Sequence, residues 1–269
     1  MLLKNLIKNL QPEVAKIKIK GISSDSRLIK KGYLFVCIDG NKFDGNDYVS
    51  QAISKGARVV IHTRPLKKNK NVKYIKFKDT RNILAKLSAE YYKDKPKNIV
   101  AVTGTNGKTS VADFFYQIFN LQNKKSGFIG TLGFRRNRKL KNRDLTTLDS
   151  LTLNKDLSEM KRSNIDNVII EASSHGLKQK RLNFLKFKAG IFTNLSHDHL
   201  DYHKDMKDYQ KSKLLLFKNL LTEKSTAITD TDIKQYSSIK KIQRKQKYKI
   251  LTIGSNSNTF KILNHKIFK

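Results

Sequence analysis

Between Ile99 and Gly254 six short apolar runs recur: IVAVTG (99–104), SGFIGT (126–131), NVIIEA (167–172), KAGIFTN (188–194), TAITD (226–230) and YKILTIG (248–254). Each is too short for a helix, rich in Val, Ile and Phe, and mostly unbroken by charge, as strands covered on both faces should be. Amphipathic segments intervene, notably VADFFYQIFNL (111–121) and LTLNKDLSEMKR (151–162). Alternation of this kind predicts a doubly wound, mostly parallel sheet. Upstream, YLFVCIDG (33–40), ARVVIHT (57–63) and VKYIKF (72–77) read as strands, and YVSQAISKG (48–56) and NILAKLSAEYY (82–92) as helices. The segment DKPKN (94–98) reads as a linker, since Pro96 cannot continue a helix. The expected fold class is therefore α/β, with a small N-terminal domain over residues 1–94 and a nucleotide-binding domain over 95–269. After Asp232 the chain turns Lys-rich and less patterned, with no closing helix, so the second domain is expected to be incomplete.

Composition narrows the function. The 269 residues are 38% hydrophobic, which suffices for a sizeable core and excludes wholesale disorder. The lone Cys37 cannot form an internal disulfide, and Lys4 and Lys8 interrupt the N-terminal apolar stretch before a signal-peptide core could form. No run approaches the roughly 18 uncharged apolar residues of a membrane helix. A cytoplasmic protein without membrane insertion is expected. The 56 Lys and Arg against 22 Asp and Glu give a net charge of +34. Lysine is scattered through every element, which argues against nucleic acid as partner and leaves a general attraction for small anions.

Four places carry chemistry. The run IVAVTG leads into GTNGKTS (104–110) and then a helix, the setting of a phosphate loop. There, glycines aim backbone amides at an anion, Lys108 reaches phosphate oxygens, and Thr109 can ligate Mg²⁺. The spacing is GxxGKT, because Val102 occupies the first glycine position of the longer GxxxxGK[ST] form. Glu171 ends a later run, where ligands of open α/β sheets gather; it is either a Mg²⁺ ligand or a strand-terminal carboxylate facing solvent. LSHDHLDYH (195–203) concentrates His and Asp, consistent with a metal site, an acid/base cluster or a solvated loop. In the helix MKDYQKSKLLLF (206–217), Lys213 shares a stripe with Met206, Tyr209, Leu216 and Phe217. An inward lysine is either a stem passing the core or a functional group.

In combination, DSRLIKKGYLFVCIDGNKFDG (25–45), VTGTNGKTS (102–110), TTLDSLTL (146–153), EASSHGLKQKR (171–181), FTNLSHDHLDYH (192–203) and YQKSK (209–213) resemble the Mur ligase family of peptidoglycan synthesis. The SSHGLxQxR segment is similar to the branch that adds the third amino acid, and separates it from MurF-type and folylpolyglutamate-synthase-type ligases. The resemblance implies an ATP-dependent amide ligase that joins a diamino acid, meso-diaminopimelate or L-lysine, to UDP-MurNAc-L-Ala-D-Glu through an acyl phosphate. It implies a pocket for the uridine-diphosphate end at Ser24, Ser26, Asn41, Lys42 and Phe43, and an ATP loop at Gly104, Thr105, Asn106, Gly107, Lys108, Thr109 and Ser110. Thr146, Thr147, Ser173, Gln179 and Arg181 would hold the muramoyl dipeptide. Thr109, Glu171, His199 and Lys213 would serve two Mg²⁺ ions, with Lys213 carbamylated by CO₂. Lys108, His199 and Lys213 would be the catalytic set, and the protein a monomer working on small molecules.

Departures accompany the likeness. Leu145 and Leu148 replace an Asn and a Pro common in relatives, and Thr229 stands where an NADD-like motif has Asn. Neither a third domain nor its DNPR-type motif is in this sequence, so residues 1–269 are expected to bind nucleotide and perhaps the uridine substrate without completing ligation.

Overall fold

The structure, a computed structural model, describes residues 1–40, 43–67, 69–136, 139–141 and 145–264. They divide into two compact units, Met1–Lys93 with Ser150–Lys155, and Asp94–Asp149 with Asp156–Lys269.

In the first unit, strands β1 (Gly21–Ser23), β2 (Tyr33–Val36), β3 (Ala57–His62) and β4 (Lys73–Lys76) form a parallel sheet in the order β1-β2-β3-β4. Helices α1 (Pro12–Ala15), α2 (Val49–Ser54) and α3 (Thr80–Tyr91) belong to the same unit. Strand alternation divides its core: Leu34, Val36, Val59 and Ile61 meet Leu84 and Leu87 of α3, while Phe35, Cys37 and Val60 meet Val49 and Ala52 of α2. The Asp79 side chain caps α3 by accepting from the Asn82 amide at 2.9 Å, so the helix begins before the apolar pattern does.

The second unit holds strands β5 (Asn98–Thr103), β6 (Ser126–Gly130), β7 (Gly133–Arg136), β8 (Lys139–Lys141), β9 (Asn167–Glu171), β10 (Ala189–Phe192), β11 (Thr226–Asp230), β12 (Lys249–Gly254) and β13 (Phe260–Lys261). Their order is β13-β12-β11-β10-β5-β9-β6-β7-β8. All six apolar runs become strands, parallel from β13 to β6, and β7 and β8 extend the sheet in antiparallel fashion. Helices α4 (Lys108–Leu121), α5 (Ser150–Arg162), whose first residues Ser150–Lys155 are counted with the first unit, α6 (Ser174–Lys178), α7 (Met206–Leu215) and α8 (Tyr236–Gln246) lie between them in the chain. The α/β class, with its mostly parallel doubly wound sheet, is as expected. Helix α8 corrects the expectation of a Lys-rich, less patterned tail without a helix: Ile239 is fully buried, and the surrounding lysines lie on the outward face.

The chain leaves β5 for β6 and β9 on one side, then returns to β10 and β11 on the other. Beside β5 is therefore the switch point, with the carboxyl ends of β5, β9 and β10 opening on one crevice. Val102, Ala112, Tyr116, Phe128 and Ile169 pack α4 onto this part of the sheet, fixing the helix whose first turn follows the phosphate loop. No helix among the described residues is long and apolar enough to cross a membrane.

Candidate active site

Gly107 precedes α4 with φ of 80°, and Gly104 directly follows β5 with φ of 150°, conformations open to glycine. A Cβ on Gly104 would lie 1.9 Å from Thr193 Oγ1, so the loop also needs glycine for close approach. The end of β10 braces it: the Thr105 amide donates to the Asn194 carbonyl at 2.9 Å, the Asn106 amide to Asn194 Oδ1 at 2.9 Å, and the Thr193 hydroxyl to the Asn106 carbonyl at 2.6 Å. Thr193 and Asn194 were not singled out in the sequence. Ser110 lies in the first turn of α4, and Lys108 Nζ folds back onto the carbonyls of Gly104 and Thr105 at 2.9 and 2.7 Å.

Glu171 is fully buried at the end of β9. Its carboxylate accepts from the Thr109 hydroxyl at 3.0 Å, the Thr131 amide at 2.9 Å and the Thr131 hydroxyl at 3.2 Å. A solvent-facing carboxylate is thereby ruled out. Thr131, which closes the run SGFIGT directly after β6 but was given no role there, also reaches Thr146 Oγ1 through its hydroxyl at 3.2 Å. From the Glu171 main chain a second path continues: Thr147 Oγ1 donates to its carbonyl at 2.7 Å and accepts from the Ser173 amide at 2.8 Å. Arg181 donates to the Thr147 carbonyl at 2.5 Å and to Gln179 Oε1 at 2.7 Å. Thr109 and, through Thr131, Thr146 thus gather at the Glu171 carboxylate, while Thr147, Ser173, Arg181 and Gln179 are linked to its main-chain carbonyl.

Lys213 is 1% exposed. Its Nζ donates to the Gly104 carbonyl at 2.6 Å, the atom Lys108 also uses, and lies 4.4 Å from the centre of the Tyr209 ring. Burial, reinforced by the neighbouring Lys108 charge, pushes the Lys213 ammonium down to about 7. Burial also lowers Lys108, against the attraction of Glu171 and Asp198.

His199, at φ of 53°, lies edge-on to His175 at 5.2 Å and to Tyr209 at 5.9 Å between ring centres. Among the described residues, the hydrogen bonds of the Glu171 carboxylate run to Thr109 and Thr131, and His199 pairs with Asp198. His203 is buried instead, between Ser174 and Asp208. Among the described residues no three His, Cys, Asp or Glu side chains converge as a metal cage. The donors beside the loop, a threonine hydroxyl and a carboxylate, are hard oxygens that suit Mg²⁺ completed by phosphates and water.

In the first unit, Ser24, Ser26, Phe43, Tyr48 and Gln51 line a cavity of about 420 Å³. The Ser26 hydroxyl donates to Gln51 Oε1 at 2.5 Å, and Phe43, 70% exposed, stands at its edge with Tyr48. The Arg27 guanidinium holds the Asp25 carboxyl below the usual carboxylate range. Asn41 and Lys42 lie outside the described residues.

A model of the Mur ligase middle domain matches residues 102–268, and one of the Mur ligase family catalytic domain matches 18–92. A UDP-N-acetylmuramoyl-L-alanyl-D-glutamate–2,6-diaminopimelate ligase of Phocaeicola vulgatus is 42% identical over 220 residues, covering 81% of this chain and 45% of the relative. The like-named ligase of Rhizobium meliloti is 37% identical over 249 residues, covering 93% and 51%. A solved structure bearing the same ligase name superposes with a TM-score of 0.82 at 28% identity, covering 97% of this chain and 53% of that one. The chain thus spans about half the length of the curated relatives it matches.

Proposed function

The chain belongs to the Mur ligase family, and on that premise we propose that it supplies the UDP-substrate-binding and ATP-binding parts of a ligase that adds a diamino acid to UDP-MurNAc-L-Ala-D-Glu. The observation that carries the reading is the meeting at Glu171. Thr109 of the phosphate loop holds its carboxylate, and Thr147, bonded to Ser173 and Arg181, holds its carbonyl. Nucleotide and dipeptide would be brought together across a single residue. The relatives named above take diaminopimelate, which favours it over lysine as the added amino acid.

In this reading the γ-carboxylate of the substrate's D-glutamate attacks the γ-phosphorus of ATP, giving an acyl phosphate and ADP. The incoming amine then bonds to the acyl carbon, phosphate leaves, and a proton passes to solvent. Catalysis of this kind is largely positioning and charge stabilisation. Loop amides from Gly104 to Ser110 cradle the phosphates, and Lys108 leaves its own loop carbonyls for phosphate oxygens. Ser173, Gln179 and Arg181 orient the dipeptide; Ser24, Ser26, Asn41, Lys42 and Phe43 take the uridine end. Thr109, Glu171, His199 and Lys213 would hold Mg²⁺, which when bound neutralises phosphoryl charge.

A buried amine at about 7 is substantially neutral near physiological pH, the form that adds to CO₂. Nζ bonds to the carbon and loses one proton to water. The product is an anion, replacing a cation crowded against Lys108 with a metal-binding group.

Acceptor choice tests the proposal, because a ligand that binds only the folded chain raises its melting temperature. Mg·ATP and UDP-MurNAc-L-Ala-D-Glu are expected to protect the chain against thermal unfolding. Protection by a folate or by UDP-MurNAc-tripeptide in place of the dipeptide would overturn the reading.

A further inference from the structure

Ser174, His203, Asp208 and Lys178 form a hydrogen-bonded chain that the chemistry above leaves unused. His203 Nε2 lies 2.9 Å from Ser174 Oγ, and His203 Nδ1 lies 3.2 Å from Asp208 Oδ2. The same carboxylate oxygen accepts from Lys178 Nζ at 2.6 Å. Ser174 and His203 are 1% and 2% exposed. Ionised Asp208 can only accept, so His203 Nδ1 carries a proton. In the neutral ring Nε2 is then a lone pair, and the Ser174 hydroxyl donates to it. The order serine, histidine, aspartate resembles a hydrolytic triad. A serine donating to the ring nitrogen is the arrangement such a triad uses, yet this one is sealed from solvent, which leaves no room for a substrate at its hydroxyl.

Ser174 and Lys178 are the first and last residues of α6. Asp208 of α7 therefore grips both ends of this short helix, one directly and one through His203. Helices of a single turn have little stability of their own, so tertiary contacts set their orientation. Ser173 caps α6 by accepting from the Gly176 amide at 3.1 Å, and Gln179 and Arg181 follow immediately. Further along α7 lie Tyr209 and Lys213.

We propose that His203 is a positioning residue that fixes α6 against α7 and so aligns Ser173, Gln179 and Arg181 with the Lys213 side of the site. The proposal rests on the assignment of those three residues to the muramoyl dipeptide.

Calorimetric titration with UDP-MurNAc-L-Ala-D-Glu and, separately, with Mg·ADP tests it on wild type, His203→Ala and His203→Asn. The alanine variant is expected to bind the dipeptide roughly tenfold more weakly while Mg·ADP affinity stays within about twofold. Asparagine, whose amide can still donate to Asp208, is expected to recover most of the loss. Histidine-selective ¹⁵N NMR of the wild type is expected to show His203 as the neutral Nδ1–H tautomer, a readout available even if the alanine variant does not fold. Unchanged dipeptide binding, an equal loss of both ligands or the Nε2–H tautomer would each overturn the proposal. A wild type with the expected tautomer that binds neither ligand would instead refute the dipeptide assignment, and the proposal with it.

Discussion

The carboxylate of Glu171 accepts the Thr109 hydroxyl at 3.0 Å, tying the end of β9 to the first turn of the helix behind the phosphate loop. Because β5 and β9 are neighbours in the sheet, the contact is built into the strand order and needs no ligand to form.

Space for that carboxylate depends on Gly130. A Cβ there would stand 2.2 Å from Glu171 Oε1, so Gly130→Ala must push the carboxylate off its donors. Overpacking costs typically 1–3 kcal/mol, which lowers the melting temperature without abolishing folding. Isothermal titration is expected to show markedly weaker Mg·ADP binding in a folded variant. Unaltered affinity would mean that Glu171 has no part in the nucleotide site.

In the proposed function Glu171 holds Mg²⁺ and Thr131 acts through it; outer partners of a metal ligand typically change metal affinity by roughly 10- to 100-fold when removed. Thr131→Val is expected to raise the Mg²⁺ concentration needed for half-maximal ADP binding by that factor. Thr131→Ser, which keeps the hydroxyl, should stay near wild type. Equal behaviour of the two variants would contradict the role.

Lys213 gives a pH signature with a definite sign. Unfolded, its ammonium titrates near the ordinary 10.5; folded, it does so at about 7. Between these values the unfolded chain binds more protons, so this residue's contribution to stability rises with pH across the window and is constant below it. Denaturant melts of wild type and Lys213→Met from pH 6.5 to 9.5 are expected to show the wild type gaining stability relative to the variant as pH rises. Parallel curves would show that Lys213 is not held in a desolvated site.

Much of this was legible because buried parallel strands leave continuous apolar runs, and all six appear in the sheet. The stripe that turned Lys213 inward holds for Tyr209 and Lys213 in α7 and continues to Phe217 in the π-helical turn Leu216–Leu220 that follows it, and all three are buried. Other features had no local signal. Strand β1 is three residues long, and β7 and β8 carry charges that mask strand character. Helix α8 was hidden by lysine density, although Ile239 anchors it. Thr131 lay in plain view at a strand end, but its partner Glu171 becomes adjacent only through the pairing of β6 with β9. The Ser174–His203–Asp208 relay likewise exists only once α6 and α7 pack.

The most direct test of the whole account is calorimetric titration of the chain with Mg·ADP and with UDP-MurNAc-L-Ala-D-Glu, repeated on Lys108→Ala. The account predicts one site for each ligand in the wild type. In the variant it predicts loss of at least about tenfold in ADP affinity, or 1.4 kcal/mol, with dipeptide affinity retained. A wild type that binds neither, or a variant that binds ADP as tightly as the wild type, would contradict it.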